Sequence, residues 1–477
     1  MPANSKPEIN LWQSAEIKLA LQDQIISFGK IDLPVNQVVI DSRSKTDNGL
    51  FVAFKGEFND GHNYLQNAFE NGCKLAIVDR IPEKFKNDKR LILVKNSLDA
   101  LDSLAIFARN RTKAKIIAVT GSVGKTSVKE MLKIIFKTQG RTFGTIGNLN
   151  NNFGLPLSLC NMPQDCKFGI FEIGMSHFGE IEKLSKIARP HIAIITNVMA
   201  AHIGNFKNEE EIALAKSEIF AGLEENGFAL INADNIHNEF IRKQALSRKI
   251  LTKNIVSFSA NEASNIKIIG IHDSGNFHST VEVLLSSSNK KISYQINSIN
   301  QATIFNSLIA VGCLELIGTN SSDGLEALKT LKTPKGRGNL INVEKNGIKF
   351  TIIDDSYNAN SASMKAGLKF LSDLKKYKPN SRTIAFVGEM LELGEFNESE
   401  HKAIANYISN FNIDLVLLVG SSMQNLVSEI KPEKLIGSFP NSNFAAENIK
   451  FEPQDGDIIF AKGSRGTKME KLIEKLL

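Results

Sequence analysis

Nowhere does the chain hold an apolar run close to the roughly 20 residues that a membrane-crossing helix needs, so nothing in it argues for insertion into a bilayer. The first residues, MPANSKPEINLW, lack a basic stretch followed by an apolar core, and no secretory leader is expected. Cysteine is scarce. The four present, Cys73, Cys160, Cys166 and Cys313, have neither the paired spacing of a zinc site nor the density of a secreted disulfide framework. They are expected to be buried free thiols, and the protein to be cytoplasmic. Charge of one sign is also lacking: 57 Lys+Arg against 51 Asp+Glu leave only +6. That surplus suits anionic small-molecule substrates and is too weak for a nucleic-acid partner, and no basic block interleaved with aromatics appears. Tandem repeats and low-complexity linkers are absent. What remains is a globular protein of 477 residues, 42% apolar and 23% charged, room for about two to four domains at roughly 100–200 residues each.

The stretch IIAVTGSVGKTSVKEM, 116–131, organises the rest. Residues 116–119 read as a buried strand that stops at Thr120-Gly121. Ser122, Val123 and Gly124 follow, then Lys125-Thr126. From Ser127 apolar residues recur at Val128, Met131, Leu132, Ile135 and Phe136, the spacing of one buried helical face. Strand, glycine turn and helix start make a phosphate cradle, because glycines let the backbone approach an anion and helix-start N–H groups point at it. The lysine ammonium reaches the outer phosphates and the threonine hydroxyl can hold Mg²⁺. Val119 stands where the common P-loop has its first glycine, so this loop is of a shorter kind.

Around that stretch, alternating strands and helices predict an α/β protein with parallel sheets. Residues 1–90 read as a small α/β unit with strands at 38–40, 50–54, 76–78 and 91–94 and a helix over 64–71. Arg43, after the first strand, could clamp a diphosphate with Ser42 beside it, or close a solvated turn. The run GNLNNNFGLP offers the amides of Asn151 and Asn152 to a polar ligand, or is an Asn-rich turn. Glu172 ends an apolar strand where an NTPase keeps a second metal handle, with a plain strand-end charge as the alternative. His202 follows the next strand, at the end of the sheet where α/β folds bind ligands. Lys216, on a helix over 209–220, reads by itself as a solvated lysine. Residues 245–298 read as antiparallel hairpins, and a helix over 300–317 carries Asn306. The loop TPKGRG, 333–338, could hinge. Beyond it a strand delivers Asp354 and Asp355 to SYNANSAS, 356–363, and a last strand opens onto Lys462-Gly463-Ser464-Arg465.

TGSVGKTS, DDSYNANSAS, GEMLELGE, GNLNNNFGLP, AKGSRGTKME, and DSR with LFVAFKGEFNDGH together resemble the Mur ligase family, the ATP-dependent amide-bond formers of peptidoglycan synthesis. The resemblance runs end to end and implies three domains: a small N-terminal α/β domain (1–90) for a UDP-muramoyl substrate, a central P-loop ATPase domain with a mostly parallel sheet (91–332), and a C-terminal Rossmann-like domain (333–477). Within the family the loop Ser356-Tyr357-Asn358-Ala359-Asn360 is similar to that of the member adding D-alanyl-D-alanine to UDP-N-acetylmuramoyl-tripeptide. A sibling adding the third residue, a folylpolyglutamate-synthase-like enzyme and a P-loop ATPase without ligase activity are the alternatives. The resemblance implies ATP and Mg²⁺ as cofactors and a monomer without nucleic-acid or membrane partners. It places ATP on Thr120, Gly121, Ser122, Val123, Gly124, Lys125, Thr126, Asn306, Arg337 and Asp355. It places Mg²⁺ on Thr126, Glu172, His202 and a carbamylated Lys216. Ser42, Arg43, Asn151, Asn152, Tyr357, Asn358 and Asn360 become substrate contacts, and Lys125, Lys216, Glu172, His202 and Arg337 the catalytic set. Four positions depart from the family's pattern: Val123 for a small polar residue, Ser361 for proline, Glu389 for aspartate, and Asn300 to Asn306, where only Asn306 survives of the adenine motif.

Overall fold

The computed structural model describes residues 11–29, 32–200, 203–275, 277–319 and 321–477. It has three sheets, of five, nine and six strands. In the first, Gln37–Val39, Gly49–Val52, Cys73–Val78 and Leu91–Val94 lie parallel, and Ile25–Phe28 closes the edge antiparallel to Leu91–Val94. A boundary at 90 therefore falls one strand too early, because Leu91–Val94 has both its ladder partners in this sheet. The strand expected over 50–54 also stops at Val52, and the helix over 64–71 is Leu65–Glu70.

The first sheet is fastened to the centre. Trp12 is fully buried and its indole N–H donates to the Cys160 carbonyl at 2.9 Å. The Asn161 side chain both accepts from and donates to the backbone of Val38, at 3.0 and 2.9 Å, so it acts as a surrogate strand partner. The Arg111 guanidinium lies 4.0 Å from the Trp12 ring centroid and donates to the Leu11 carbonyl at 2.8 Å.

The nine-stranded sheet runs parallel from Thr142–Gly144 through Phe168–Glu172, Lys115–Thr120, Ile192–Ile195, Phe228–Asn232 and Ile255–Ser259 to Ile266–Asp273. Lys115–Thr120 sits between two partners and is apolar on both faces, as a parallel strand covered by helices must be. Ile117 and Val119 face Val128, Met131, Leu132, Ile135 and Phe136 of the helix Lys125–Lys137, while Ile116 and Ala118 face the opposite core. Only Ile266–Asp273, Ser279–Leu285 and Lys290–Ile296 form the antiparallel meander expected over 245–298. Residues up to Ser247 belong to the helix Asn238–Ser247, and Ile255–Ser259 is parallel to both its neighbours. A short strand buried on both faces cannot be told from a hairpin arm by its apolar pattern alone.

The third sheet has the order Asn339–Lys345, Ile348–Asp355, Ile458–Lys462, Thr383–Gly388, Leu415–Val419, Leu435–Phe439; only its first pair is antiparallel. Its central strand Ile458–Lys462 comes last in sequence, so Lys462 and the turn after it emerge beside Asp355 and the loop that follows. Among the described residues no helix is long and apolar enough to cross a membrane, and all four cysteines are buried free thiols.

Candidate active site

Gly124 ends the phosphate loop in the left-handed region, at φ 86°, as the residue before the helix Lys125–Lys137. The helix so begins two residues earlier than its apolar period suggests, with Lys125 and Thr126 in its first turn. A Cβ on Gly124 would also stand 2.9 Å from the Asn306 amide oxygen, so conformation and space both call for glycine here. The loop is braced by the neighbouring strand end: the Ser122 N–H donates to the Asn197 carbonyl at 2.8 Å, and the Thr196 hydroxyl donates to the Val123 carbonyl at 2.5 Å. Gly121 leaves no room for a side chain, since a Cβ there would meet the Thr196 hydroxyl at 1.9 Å.

Above the loop lies a cavity of about 520 Å³. Ser122, Val123, Gly124, Lys125 and Thr126 form one side; Asn151, Asn152, Glu172 and Lys216 form the next; Arg337, Tyr357, Asn358 and Asn360 close it from the third sheet. The Thr126 hydroxyl donates to Glu172 Oε2 at 3.0 Å, and Arg337 Nη2 donates to the same hydroxyl at 3.2 Å. Thus an arginine from the C-terminal sheet already touches the first helical turn of the P-loop. Its own loop is held by Asp354, whose carboxylate accepts from the Gly336 N–H at 3.0 Å and from the Ser356 hydroxyl at 2.5 Å. The guanidinium carbon of Arg337 lies 3.9 Å from the Tyr357 ring centroid, a cation–π contact that fixes its direction.

Electrostatics in the cavity favour an anion. Burial pulls the Lys125 pKa below its ordinary value; Glu172 opposes that shift and Arg337 reinforces it. Burial drives Lys216 well below its usual range, and the positive charge of Lys125 adds to the effect. Two lysines short of water line the site together with Arg337, and charges act strongly on a bound phosphate where water is scarce.

Other expected residues lie elsewhere. Asn306 packs behind Gly124, supporting the loop from the helix Gln301–Ile317. Thr120 is fully buried beneath the loop. The Asp355 carboxylate is held by Lys462 at 2.7 Å, and burial raises its pKa against the pull of that lysine. Ser42 is buried, its carbonyl accepting from Asn71, and Arg43 is exposed, with both its guanidinium bonds to Asp41, at 2.9 and 2.7 Å. Neither lines the cavity. His202 lies outside the described residues.

Three supporting residues escape a reading by residue type. Asn150, the neighbour of the expected pair, is the asparagine whose amide reaches Glu172, at 2.8 Å. Lys129, one turn beyond Lys125 on the same helix, is buried and donates to the Gly147 carbonyl at 3.1 Å with Glu172 4.0 Å away; the i+4 spacing from Lys125 was its only sequence signal. Lys462 also donates to the Asn358 carbonyl, at 2.9 Å, and so shapes the cavity's far wall.

The departures have local roles. Asn300 caps the helix Gln301–Ile317, accepting from the Ala302 and Thr303 N–H groups. Asn360 caps Ser361–Asp373 in a reciprocal capping box with Ser363, leaving Ser361 as the first helical residue. Glu389 directly follows the interior strand Thr383–Gly388 and accepts from the Ser422 N–H at 3.3 Å.

Comparison with known proteins agrees with this geometry. The domain family described as Mur ligase middle domain matches residues 119–314, and Mur ligase, glutamate ligase domain, matches 336–465. A curated relative, the UDP-N-acetylmuramoyl-tripeptide--D-alanyl-D-alanine ligase of Rickettsia prowazekii, is 34% identical over 97% of this chain and 99% of its own. Among solved structures, MurF from Acinetobacter baumannii is 28% identical, with a TM-score of 0.83 over 98% of both chains. MurF from Thermotoga maritima in complex with ADP is 27% identical, with a TM-score of 0.77 over 93% of this chain and 97% of that one. A P-loop joined by an arginine from the sheet beyond it, on a chain matched along its length by such relatives, leads to one statement: this protein belongs to the Mur ligase family.

Proposed function

We propose that this chain is an ATP-dependent ligase that joins D-alanyl-D-alanine to UDP-N-acetylmuramoyl-tripeptide, giving the pentapeptide precursor of peptidoglycan, ADP and phosphate. The observation that carries this is the convergence of Lys125, Thr126, Glu172 and Lys216 with Arg337 and Tyr357 on one cavity. Residues up to about 94 would hold the UDP end through Ser42 and Arg43, residues 97–332 the triphosphate, and residues 333–477 the dipeptide. One chain carries every group named, so the reading needs a monomer only, acting in the cytoplasm.

A carboxylate is a poor electrophile at neutral pH. The γ-phosphoryl group must first pass to the tripeptide's terminal carboxylate, which turns an oxygen of that acid into a leaving group. The dipeptide amine then attacks the acyl carbon and phosphate departs. Two anions meet in the first step, and Lys125 and Arg337 are placed to bear the charge as it spreads over the phosphoryl oxygens. Backbone N–H groups of residues 123–126 would hold the β-phosphate end. Asn151 and Asn152 line the side by which the tripeptide would enter. Closing Arg337 and Tyr357 over the site excludes water that would hydrolyse the acyl phosphate.

The residues present fit Mg²⁺. The Thr126 hydroxyl and the Glu172 carboxylate are hard oxygen donors 3.0 Å apart, Asn150 orients the carboxylate, and this ion uses one or two carboxylates plus substrate phosphates rather than a full protein cage. When bound it would supply neutralisation of phosphate charge. Lys216 enters here as well. Burial disfavours its ammonium form; the free amine is the form that adds to CO₂, and the resulting carbamate, its proton released to solvent, is an anionic oxygen donor. Lys216→Ala is expected to lower turnover on the order of a hundredfold, with part of the loss restored by acetate or formate; a variant as active as the parent would remove this role.

The test of the reaction is phosphate release with ATP, Mg²⁺ and UDP-muramoyl-tripeptide while the acceptor is varied. Release that depends on D-alanyl-D-alanine supports the assignment. Release with a diamino acid and a shorter muramoyl peptide selects the sibling activity, and acceptor-independent release a plain ATPase.

A further inference from the structure

The cavity's described lining includes four basic side chains, Lys125, Lys216, Arg337 and Arg465. The first is bonded to the Gly121 carbonyl, at 2.6 Å, and the third to Thr126, so both belong to the phosphate end. Lys216 is buried beneath them. Arg465 is different. It stands on the turn after the strand Ile458–Lys462, its side chain is 63% exposed, and Nη1 donates to Glu470 at 3.0 Å. Glu470 engages one edge of the guanidinium and thereby orients it. A guanidinium has five N–H donors in a fixed fork, so another edge stays open for a planar anion.

Distance gives this meaning. The guanidinium carbons of Arg337 and Arg465 lie 3.9 and 5.7 Å from the centroid of the same Tyr357 ring, so their separation cannot exceed the sum of the two. An extended dipeptide spans about 7 Å from amine to carboxylate, at roughly 3.3–3.6 Å per residue. A dipeptide laid along Tyr357 is therefore long enough to reach Arg465 with its carboxylate while its amine stays at the Arg337 end. Charge requires the same direction, since the carboxylate is repelled by the phosphoryl group and the amine must reach the acyl carbon beside it. Asn358 lies in the same wall, its side-chain oxygen accepting the Arg465 N–H at 3.3 Å.

We infer that Arg465 binds the C-terminal carboxylate of the incoming dipeptide and so selects a free-acid acceptor of two-residue length. The inference rests on the ligase reading above. It makes Arg465 a specificity residue: it touches the acceptor's far end and takes no part in phosphoryl transfer.

The experiment compares D-alanyl-D-alanine with D-alanyl-D-alaninamide, which has the same shape without the terminal charge, at saturating ATP and tripeptide. The wild-type protein is expected to show a KM for the amide higher by on the order of tenfold to a hundredfold, the worth of charge-assisted hydrogen bonds. Arg465→Ala should raise the KM for the acid to that of the amide and leave the KM for ATP unchanged; Arg465→Lys should fall between. Equal use of acid and amide by the wild type, or retention of the preference by Arg465→Ala, overturns the inference. The wild-type comparison decides by itself if the alanine variant does not fold. Absence of any dipeptide-dependent phosphate release from the wild type would instead bring down the ligase reading.

Discussion

Lys125→Ala is expected to abolish ligation, lowering kcat at least a hundredfold and more in the range of a thousandfold, the loss that follows removal of one preorganised charge on a developing anion. Among the described residues the ammonium bonds only the Gly121 carbonyl, at 2.6 Å, and burial already lowers its pKa. Taking it away relieves a desolvated charge without opening an apolar core, so the thermal midpoint should hold or rise. Single-turnover measurement of acyl-phosphate formation together with a melting curve checks both halves. Wild-type turnover by this variant would remove the P-loop from the chemistry.

Arg337→Ala should cost on the order of a thousandfold in kcat, as loss of an arginine supplied to a phosphoryl group does, with the KM for ATP little changed because the P-loop itself is intact. Such a split marks an interaction made chiefly in the transition state. Arg337→Lys should recover little. The present side chain bonds Thr126 Oγ1 at 3.2 Å while its planar face lies on Tyr357, and an ammonium cannot do both. A rise in the KM for ATP without loss of kcat would place Arg337 in ground-state binding instead.

The phosphate loop was legible because its chemistry is local. A strand, two glycines and Lys-Thr at a helix start fix their own geometry, and the structure differs only in starting the helix at Lys125. Glu172 and Lys216 could be named but not placed by residue type, since their meaning comes from strand order: Phe168–Glu172 pairs with Lys115–Thr120, and that pairing brings Glu172 to Thr126. Arg337 lies 211 residues from its partner, a contact that no periodicity reveals. The antiparallel reading of 245–298 failed in its first part for a related reason, as Ile255–Ser259 runs parallel to Phe228–Asn232, which lies before the helix Asn238–Ser247. Lys129 was hidden by its type, because a helical lysine ordinarily faces water and this one is buried beneath the asparagine loop.

The seam around Trp12 and Asn161 has a mechanical consequence. It ties the first sheet to the helix Gly154–Cys160 and the residue after it, which continue directly from the asparagines lining the cavity, whereas the third sheet's hydrogen bonds to the centre include Arg337 to Thr126 and Gly204 to Glu392. Any swing of the C-terminal unit onto the two before it would pivot on residues 333–338, where Gly336 and Gly338 stand at positive φ.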